Sequence, residues 1–328
     1  MRAGAGWLLQ GQGRPGTRRR AGARAAGTDG RAAGTAGRAT EALTRGFEAL
    51  RPRLLRVAYA TLGSVTEAED CVQEAWLRLN RVDDPAEIRN LEAWLTTAVS
   101  RLALDALSRA QVRRERYVGP WLPEPLVGDA SAQDPAQRVT LDESVSMALL
   151  VVLERLSPAE RTSFLLHDVF GLPFAEVADV VGRSPAAVRQ LAARARQHVE
   201  DGRPRFPPTH AEQRELVAAF MAACEGGDMD RLVALLDPGV VWRGDGGGKV
   251  ASRRIARGSL SVARALVNFA RRPPRRLGIA AVNGAPGLVL RDADGVLTVI
   301  SFTVDGGRVT ALDVVRNPDK LSGVREPG

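Results

Sequence analysis

The sequence predicts a multidomain protein: two all-α helical domains, the second with a helix-turn-helix, followed by an α+β cone. Three observations predict it. Apolar residues recur at helical spacing across 42–117 and again across 137–202. The stretch Gly171–Val199 reads as two short helices joined by a tight turn. After a Pro-rich linker at 203–209, helices come first and short apolar runs with hairpin turns come after.

Composition narrows the function classes. The chain has 328 residues and a net charge of +8. Residues 1–40 carry eight Arg and one Asp, so the remainder is close to neutral. Nucleic-acid binding must therefore be argued from local patches, not from global charge. Cys71 and Cys224 lie far apart inside helical patterns. They read as buried thiols of a reducing compartment, with neither a disulfide framework nor metal spacing. No apolar run reaches the length needed to span a bilayer, so no membrane role and a cytoplasmic location are expected.

Residues 1–40 are Gly, Ala and Arg with almost no periodicity, which predicts a disordered tail. Trp7-Leu8-Leu9 is too short for the apolar core of a signal peptide. The expectation is a dispensable segment, or one upstream of the true start.

The first helical domain, 42–117, opens on a helix with Phe47, Leu50, Leu54, Val57, Ala58 and Leu62 on one side and Pro52 near its start. Gly63-Ser64 breaks it. In Thr66–Asn80, Thr66 and Glu69 fit a capping box. Ala68, Val72, Ala75 and Leu79 face inward, leaving Asp70 and Glu74 on an acidic outer face. Arg81–Asn90 is a polar loop broken by Pro85. The long helix after it, Leu91–Arg116, buries Leu91, Trp94, Leu95, Ala98, Leu102 and Leu107. Arg101, Arg109, Arg113, Arg114 and Arg116 gather towards its end. That exceeds what a helix dipole calls for, and phosphate contact is the better reading.

The segment 118–136 begins as a strap with three prolines, and Trp121 and Leu122 need an apolar seat. Val127–Ala136 reads as polar linker.

In the second helical domain, 137–202, Val145, Leu149, Val152 and Leu156 repeat over Leu141–Leu156. Ser157-Pro158-Ala159-Glu160 is a capping box with Pro in the first turn. It opens a helix through Phe164 and Val169 that closes at Gly171. His167 reads as a packed or surface imidazole. Next comes Phe174–Val181, with Phe174, Val177, Ala178 and Val181 inward. Gly182 ends it, Ser184 caps the following helix and Pro185 suits its first position. Val188, Leu191, Ala195 and Val199 point inward. Arg189, Gln190, Ala193, Arg194 and Gln197 stay outside. Arg and Gln can pair with guanine and adenine edges in the major groove.

In the last domain, 210–328, Leu216, Phe220 and Ala223 mark one helix. Asp228 caps a second and Gly258-Ser259 opens a third. Strands are expected at Leu277–Val282, Leu288–Leu290, Val296–Val304 and Val309–Val315. Asp294-Gly295 and Asp305-Gly306-Gly307 are hairpin turns between them. Residues 211–328 contain no His and no Tyr, and only scattered carboxylates such as Asp245, Asp292 and Asp313. Proton transfer needs a base and a partner donor, so no catalytic residue, no metal and no cofactor are assigned. Asp245–Lys249 is not a phosphate loop, because Arg243 and Val250 stand where Gly and Ser/Thr are needed. It reads as a glycine turn presenting Asp245 and Lys249 to another surface.

At this point the chain resembles a known family. TEAEDCVQEAWLRL is similar to the acidic polymerase-binding helix of bacterial sigma factors. LEAWLTTAVSRLALDALSRAQVRRERYVGPWLPEPL, followed by LERLSPAERTSFLLHDVFGLPFAEVADVVGRSPAAVRQLAARAR, resembles an extracytoplasmic-function (ECF) sigma factor. Three marks point to the subgroup with a C-terminal SnoaL-like (NTF2-like) extension: WLPEP, DGGGK at Asp245–Lys249 and NPDKL at Asn317–Leu321.

The resemblance implies two partners, core RNA polymerase and promoter DNA. Asp70, Gln73, Glu74, Trp76 and Leu77 would lie at the polymerase contact. Asn80, Asn90, Arg101, Arg109, Arg113 and Arg114 would serve the −10 element. A base extruded there costs a few kcal/mol and needs phosphate clamps. Arg183, Ser184, Arg189, Gln190 and Arg194 would serve the −35 element. Trp121, Leu122 and Pro123 of the strap, Asp245, Gly246, Gly247, Gly248 and Lys249 of the glycine turn, and Asn317, Pro318, Asp319, Lys320 and Leu321 would be regulatory. The extension would act in cis, with no separate anti-sigma factor and with room for an unknown small ligand. The alternative is a DNA-binding one-component sensor, or an enzyme, using the cone for a small ligand. A plain helical scaffold is the third reading.

Overall fold

A helix, α1, opens the described chain over Asp29–Leu62. The computed structural model describes residues 29–82 (side chains from 41), 88–128, 145–252, 254–270 and 276–324. The tail expected at 1–28, residues 83–87 of the polar loop and residues 129–144 of the linker lie outside them. Asp29–Thr40 is helical backbone, contrary to the disordered tail expected there. A helix already nucleated gains one hydrogen bond per residue as it extends, and no proline stops this one before Pro52. The described residues divide into two units between Arg45 and Gly46.

Gly63 ends α1 at φ 69°, donating its N–H to the Tyr59 carbonyl at 2.7 Å. That turn leaves Ser64 extended, so Ser64 caps α2 (Val65–Leu79) by accepting from the Glu67 N–H. The cap expected at Thr66 is thereby moved two residues back. Ala68, Cys71, Val72, Ala75 and Leu79 are buried. Asn90 caps α3 (Leu91–Glu115), whose buried face is Leu95, Val99, Ala103, Leu107 and Ala110. Leu91, Trp94, Ala98 and Leu102, expected inward, are half-buried, because the inward face is set by the i, i+4 row through Leu95.

Ser146 caps α4, Met147–Leu153. It is shorter than the expected Leu141–Leu156: residues 141–144 are outside the described residues and Glu154-Arg155 is a turn. The Ser157/Glu160 capping box opens α5 (Pro158–Phe164), which continues as one π-turn, Leu165–Val169. Gly182, at φ 69°, ends α6 (Phe174–Val181), and Ser184 caps α7 (Pro185–Gly202) with Pro185 in its first turn. Val180 is buried where Val181 was expected, and Ala192 where Leu191 was. Ala192 is fully buried and Leu191 half-buried. His167 stacks on Phe174, ring centroids 3.7 Å apart, with Nδ1 against the Leu172 carbonyl at 2.9 Å.

The C-terminal part is the α+β cone. Thr209 and Glu212 cap α8 (His210–Glu225), Asp228 caps α9 (Met229–Leu235), and α10 spans Ser259–Ala270. Among the described residues seven strands make one curved sheet. β1 (Val127–Gly128) comes from the strap. β2 (Leu236–Asp245), β3 (Ile255–Arg257), β4 (Arg276–Val282), β5 (Ala285–Arg291), β6 (Leu297–Asp305) and β7 (Arg308–Val315) come from the cone. Their order is β1-β4-β5-β6-β7-β2-β3. Neighbours are antiparallel except β2 with β7, which run parallel. Three features were not expected. Val127–Gly128, read as linker, pairs with Val282 and Ala281 of β4. β2 is a strand although Pro238-Gly239 interrupts its pattern; a register shift between Leu236 and Val241 absorbs the break. β3 is the third. The inner face buries Phe220, Trp242, Leu266, Ile300, Phe302 and Leu312, with Phe220 edge-on to Phe302 at 5.0 Å.

Candidate functional site

The exposed face of α7 is set by its own caps. Ser184 Oγ accepts from the Ala187 N–H at 3.3 Å, which fixes where the helix starts and so which residues face out. Arg183, Ser184, Arg189, Gln190 and Arg194 are all exposed. Arg189 reaches back over Phe174, 5.5 Å from its ring centroid. Arg196 is tied to Asp168 instead, its Nε donating at 2.9 Å. The face thus offers separate guanidinium and amide groups with no acid between Pro185 and Gln197.

The second candidate face lies on α2 and α3. Asp70, Gln73 and Leu77 are exposed on α2, and Leu77 is one of few large exposed hydrophobics among the described residues. Glu74 pairs with Arg78 at 2.9 Å. Trp76 is half-buried, its ring 4.6 Å from that of Phe47. Asn80 ends α2, donating Nδ2 to the Trp76 carbonyl at 2.8 Å. Asn90 accepts from the Ala93 N–H at 3.0 Å.

The Arg row of α3 divides. Arg109 is exposed, donating to the carbonyl of Asp105 on its own helix at 3.2 Å. Arg101 is exposed but donates Nη2 to the Asp179 carbonyl of α6 at 2.9 Å. Arg113 pairs with Glu67. Arg114 corrects the expectation of a phosphate clamp. Its guanidinium points inward, pairing with Glu154, donating to the Leu62 carbonyl at 2.6 Å and lying 3.5 Å over the Trp121 ring. Burial lowers its pKa, against the pull of Glu154. Glu154 also pairs with Arg161, which is 1% exposed and donates to the Ala60 carbonyl at 3.1 Å. This Arg114–Glu154–Arg161 triad ties α3, the end of α4 and α5 to α1. Val57 of α1 enters the same cluster as Leu166, Leu172, Val177 and Val188.

The strap and the cone meet at a buried carboxylate. Asp245, last residue of β2, is 0% exposed. It accepts from Tyr117 Oη at 2.6 Å, the Leu122 N–H at 3.0 Å, the Gly247 N–H at 3.0 Å and Lys320 Nζ at 2.7 Å. Asn317 donates to the same Tyr117 oxygen at 2.8 Å. Lys320 also donates to the Leu122 carbonyl and sits 4.0 Å over the Trp121 ring. Trp121 is thus held between two cations, Arg114 and Lys320. Burial brings the Lys320 pKa down to about 8 despite Asp245, which raises it. Burial, and then Asp245, push the Tyr117 phenol well above its usual value. Gly247, at φ 62°, lies so close that a Cβ there would stand 2.5 Å from Asn317 Cγ. Only glycine lets the turn pass.

Leu122 and Leu321 are buried together against Val282, Val289, Val299 and Val315. Pro123 is buried as well. Lys249 and Asp319 pair at 2.6 Å in the open, more than half exposed each. Pro318 and Gly248 are exposed, while Gly246 is buried, where a Cβ would run into the Val250 carbonyl.

Several functional contacts had no place in the sequence reading. Glu124 accepts from Ser64 Oγ and the Val65 N–H, at 3.2 and 2.9 Å, so the strap completes the cap of α2. Asn283, at φ 47°, donates Nδ2 to Tyr59 Oη at 2.7 Å and accepts from the Leu126 N–H at 3.1 Å. The Asn283-Gly284 dipeptide between two apolar runs was a readable hairpin signal; its second task was not.

Inside the cone, Asp313 is held by Arg243 at 2.5 and 3.0 Å, and Asp292 by Arg316 at 2.6 Å. Neither is placed as a free base. Cys71 is buried, Cys224 half-buried, and burial pushes their thiols up to about 11 and about 12. Among the described residues no group of three His, Cys, Asp or Glu could hold a metal, and no helix is long and apolar enough to cross a membrane.

Comparison with known proteins adds to this geometry. The model of Sigma-70 region 2 matches residues 47–113, and that of Sigma-70, region 4 matches residues 146–199. The chain is 45% identical over 293 residues to the ECF RNA polymerase sigma factor SigJ of Mycobacterium tuberculosis, covering 84% of this chain and 92% of that one. It is 36% identical over 283 residues to a probable ECF RNA polymerase sigma factor SigI of the same species, covering 84% and 94%. The crystal structure of M. tuberculosis SigJ superposes with a TM-score of 0.71 at 42% identity, covering 85% of this chain and 98% of that one.

Proposed function

The chain belongs to the sigma-70 family, as an RNA polymerase sigma factor of ECF type, and from this premise we propose that its cone controls in cis how far its two DNA-reading modules can separate. A sigma factor directs transcription initiation by holding core polymerase to a promoter. The exposed α2 face with Asp70, Gln73 and Leu77, flanked by Glu74 and Trp76, makes the polymerase contact. Arg183, Ser184, Arg189, Gln190 and Arg194 serve the −35 element. Asn80, Asn90, Arg101, Arg109 and Arg113 serve the −10 element. Arg114 holds the modules together instead.

The observation that carries the cis control is the contact between modules. The −35 and −10 elements stand about 25 base pairs apart, about 85 Å at 3.4 Å per pair. At 1.5 Å per residue α3 is about 37 Å long and α7 about 27 Å. Arg101 of α3 is hydrogen-bonded to α6 of the helix-turn-helix. Modules with reading helices of these lengths that touch through α3 and α6 do not reach elements that far apart, so we read the described arrangement as the closed one. Strap, triad and cone stabilise it: Trp121 touches Arg114 of the triad on one side and Lys320 of the cone on the other. The cone thereby works in place of a separate anti-sigma protein, as a binding domain and not as an enzyme, in the cytoplasm where polymerase acts.

Run-off transcription with purified core polymerase tests this. Promoter-specific transcripts are expected from the full chain. Trp121→Ala and staged deletions after Pro204 are expected to shift promoter binding at least fivefold. Unchanged promoter output across the whole series would refute control by the cone; no promoter-specific product at any length would refute the module assignments.

A further inference from the structure

We infer that the cavity inside the cone binds an uncharged, largely apolar small molecule, and that its occupancy firms the strap. The cavity measures about 960 Å³. It is walled by the sheet and by α8 and α10 and opens to solvent on one side. It matches the size of ligand sites, about 300–1,000 Å³. Its wall is apolar: Phe220, Leu266, Phe269, Leu277, Leu288 and Ile300.

The rim decides the charge of the ligand. Arg316 lies 5.4 Å from the Phe269 ring centroid, but it is already paired with Asp292 and bonded to Thr298 Oγ1 at 3.1 Å. Lys249 is held by Asp319. Arg276 also lines the cavity, and Glu225, Asp292 and Asp294 stand against the three cations, so the lining carries no net charge to draw in an anion. Asn268 at the rim supplies an amide for one hydroxyl or carbonyl.

The same backbone serves cavity and strap. Lys249, Val250, Ala251 and Arg316 line the cavity. The Arg316 and Asn317 N–H groups both donate to the Asp245 carbonyl, at 2.7 and 3.1 Å, and the Asp245 carboxylate holds the strap. The cavity is formed while the strap is docked, so a ligand that fills it favours the docked state by linkage. This regulatory half rests on the closed-state reading above; the binding half does not.

The full chain is titrated with Nile red, which is uncharged, and with the anion 8-anilinonaphthalene-1-sulfonate. One saturable Nile red site is expected, with the anion at least tenfold weaker. Leu277→Trp should weaken Nile red at least tenfold, and Leu260→Trp, on the exposed side of α10, should not. Bound Nile red should slow alkylation of Cys224, which lines the cavity, and this reads the site without any variant. No saturable binding, unchanged affinity in a folded Leu277→Trp, an unprotected Cys224, or tighter binding of the anion would each overturn the assignment. With Nile red saturating, exchange of the Leu122 amide should slow at least threefold; unchanged exchange overturns the regulatory half alone.

Discussion

Replacing Asp245 with Asn tests the hub where the strap meets the cone. The side chain keeps its shape but loses its charge. In the native chain the carboxylate receives four donors, one of them the ammonium of Lys320, and both partners are nearly removed from solvent, at 0% and 11% exposure. Hydrogen bonds to a charged group contribute about 1.5–3 kcal/mol each. Removing one partner of a buried ion pair costs about 3–5 kcal/mol, because the other charge stays buried without compensation. Lys320 is already held near pKa 8 by burial, so without the carboxylate its proton leaves more easily still and the loss falls at the low end, about 3 kcal/mol. The strap should open locally before the helical modules unfold. Native-state hydrogen exchange at the Leu122 and Gly247 amides, whose acceptor is this carboxylate, reads the opening directly. A loss of protection of about a hundredfold is expected. Asp319→Asn is the control: its pair with Lys249 is largely exposed, and such pairs contribute under about 1 kcal/mol. Should Asp245→Asn change Leu122 protection by less than tenfold, or no more than Asp319→Asn does, the carboxylate is not what holds the strap.

Stability should peak at about pH 9. Below about pH 8 Lys320 is charged in both states; from there towards 10.5 the unfolded chain holds a proton that the folded chain has released, so stability rises by up to about 1.4 kcal/mol per unit. Above about pH 9 the sign reverses, because Cys71 and Cys224, raised to about 11 and about 12 when folded, ionise first in the unfolded chain, and Tyr117 acts in the same sense. Urea midpoints between pH 7 and 10.5 measure this; a fall between pH 8 and 9, or the same rise in Lys320→Met, contradicts the assignment. Arg189→Ala and Arg194→Ala each remove an exposed side chain of α7. Each should weaken binding to a −35 duplex by about 1–3 kcal/mol with the melting temperature unchanged, as followed by fluorescence anisotropy. Glu154→Gln removes the carboxylate that pairs Arg114 of the first helical domain with the second, and leaves Arg161 buried without its partner, at a cost of about 3–5 kcal/mol. Small-angle scattering should then show a larger radius of gyration, and an unchanged radius would mean that the triad does not hold the closed arrangement.

What the sequence alone determined is local. Ser157 with Glu160, Gly182 with Ser184 and Pro185, and Asp228 each settle a helix end through groups within four residues, so spacing along the chain is enough to read them. The face of α7 follows from those ends, as does the inward row of α2. Tertiary structure decided the rest, because the partner that fixes a side chain's role can be anywhere in the chain. Arg109 and Arg114 are five positions apart on one helix and read alike; Glu154 and Trp121 turn only Arg114 inward. Asp245 looks like a turn residue until Leu122, 123 positions earlier, donates to it. Asn283 is legible as a hairpin residue, but its bond to Tyr59 spans 224 positions. Local preference is a matter of a few dihedral angles and is written in neighbours; burial of a charge depends on which surfaces meet, and only the packed chain brings those together.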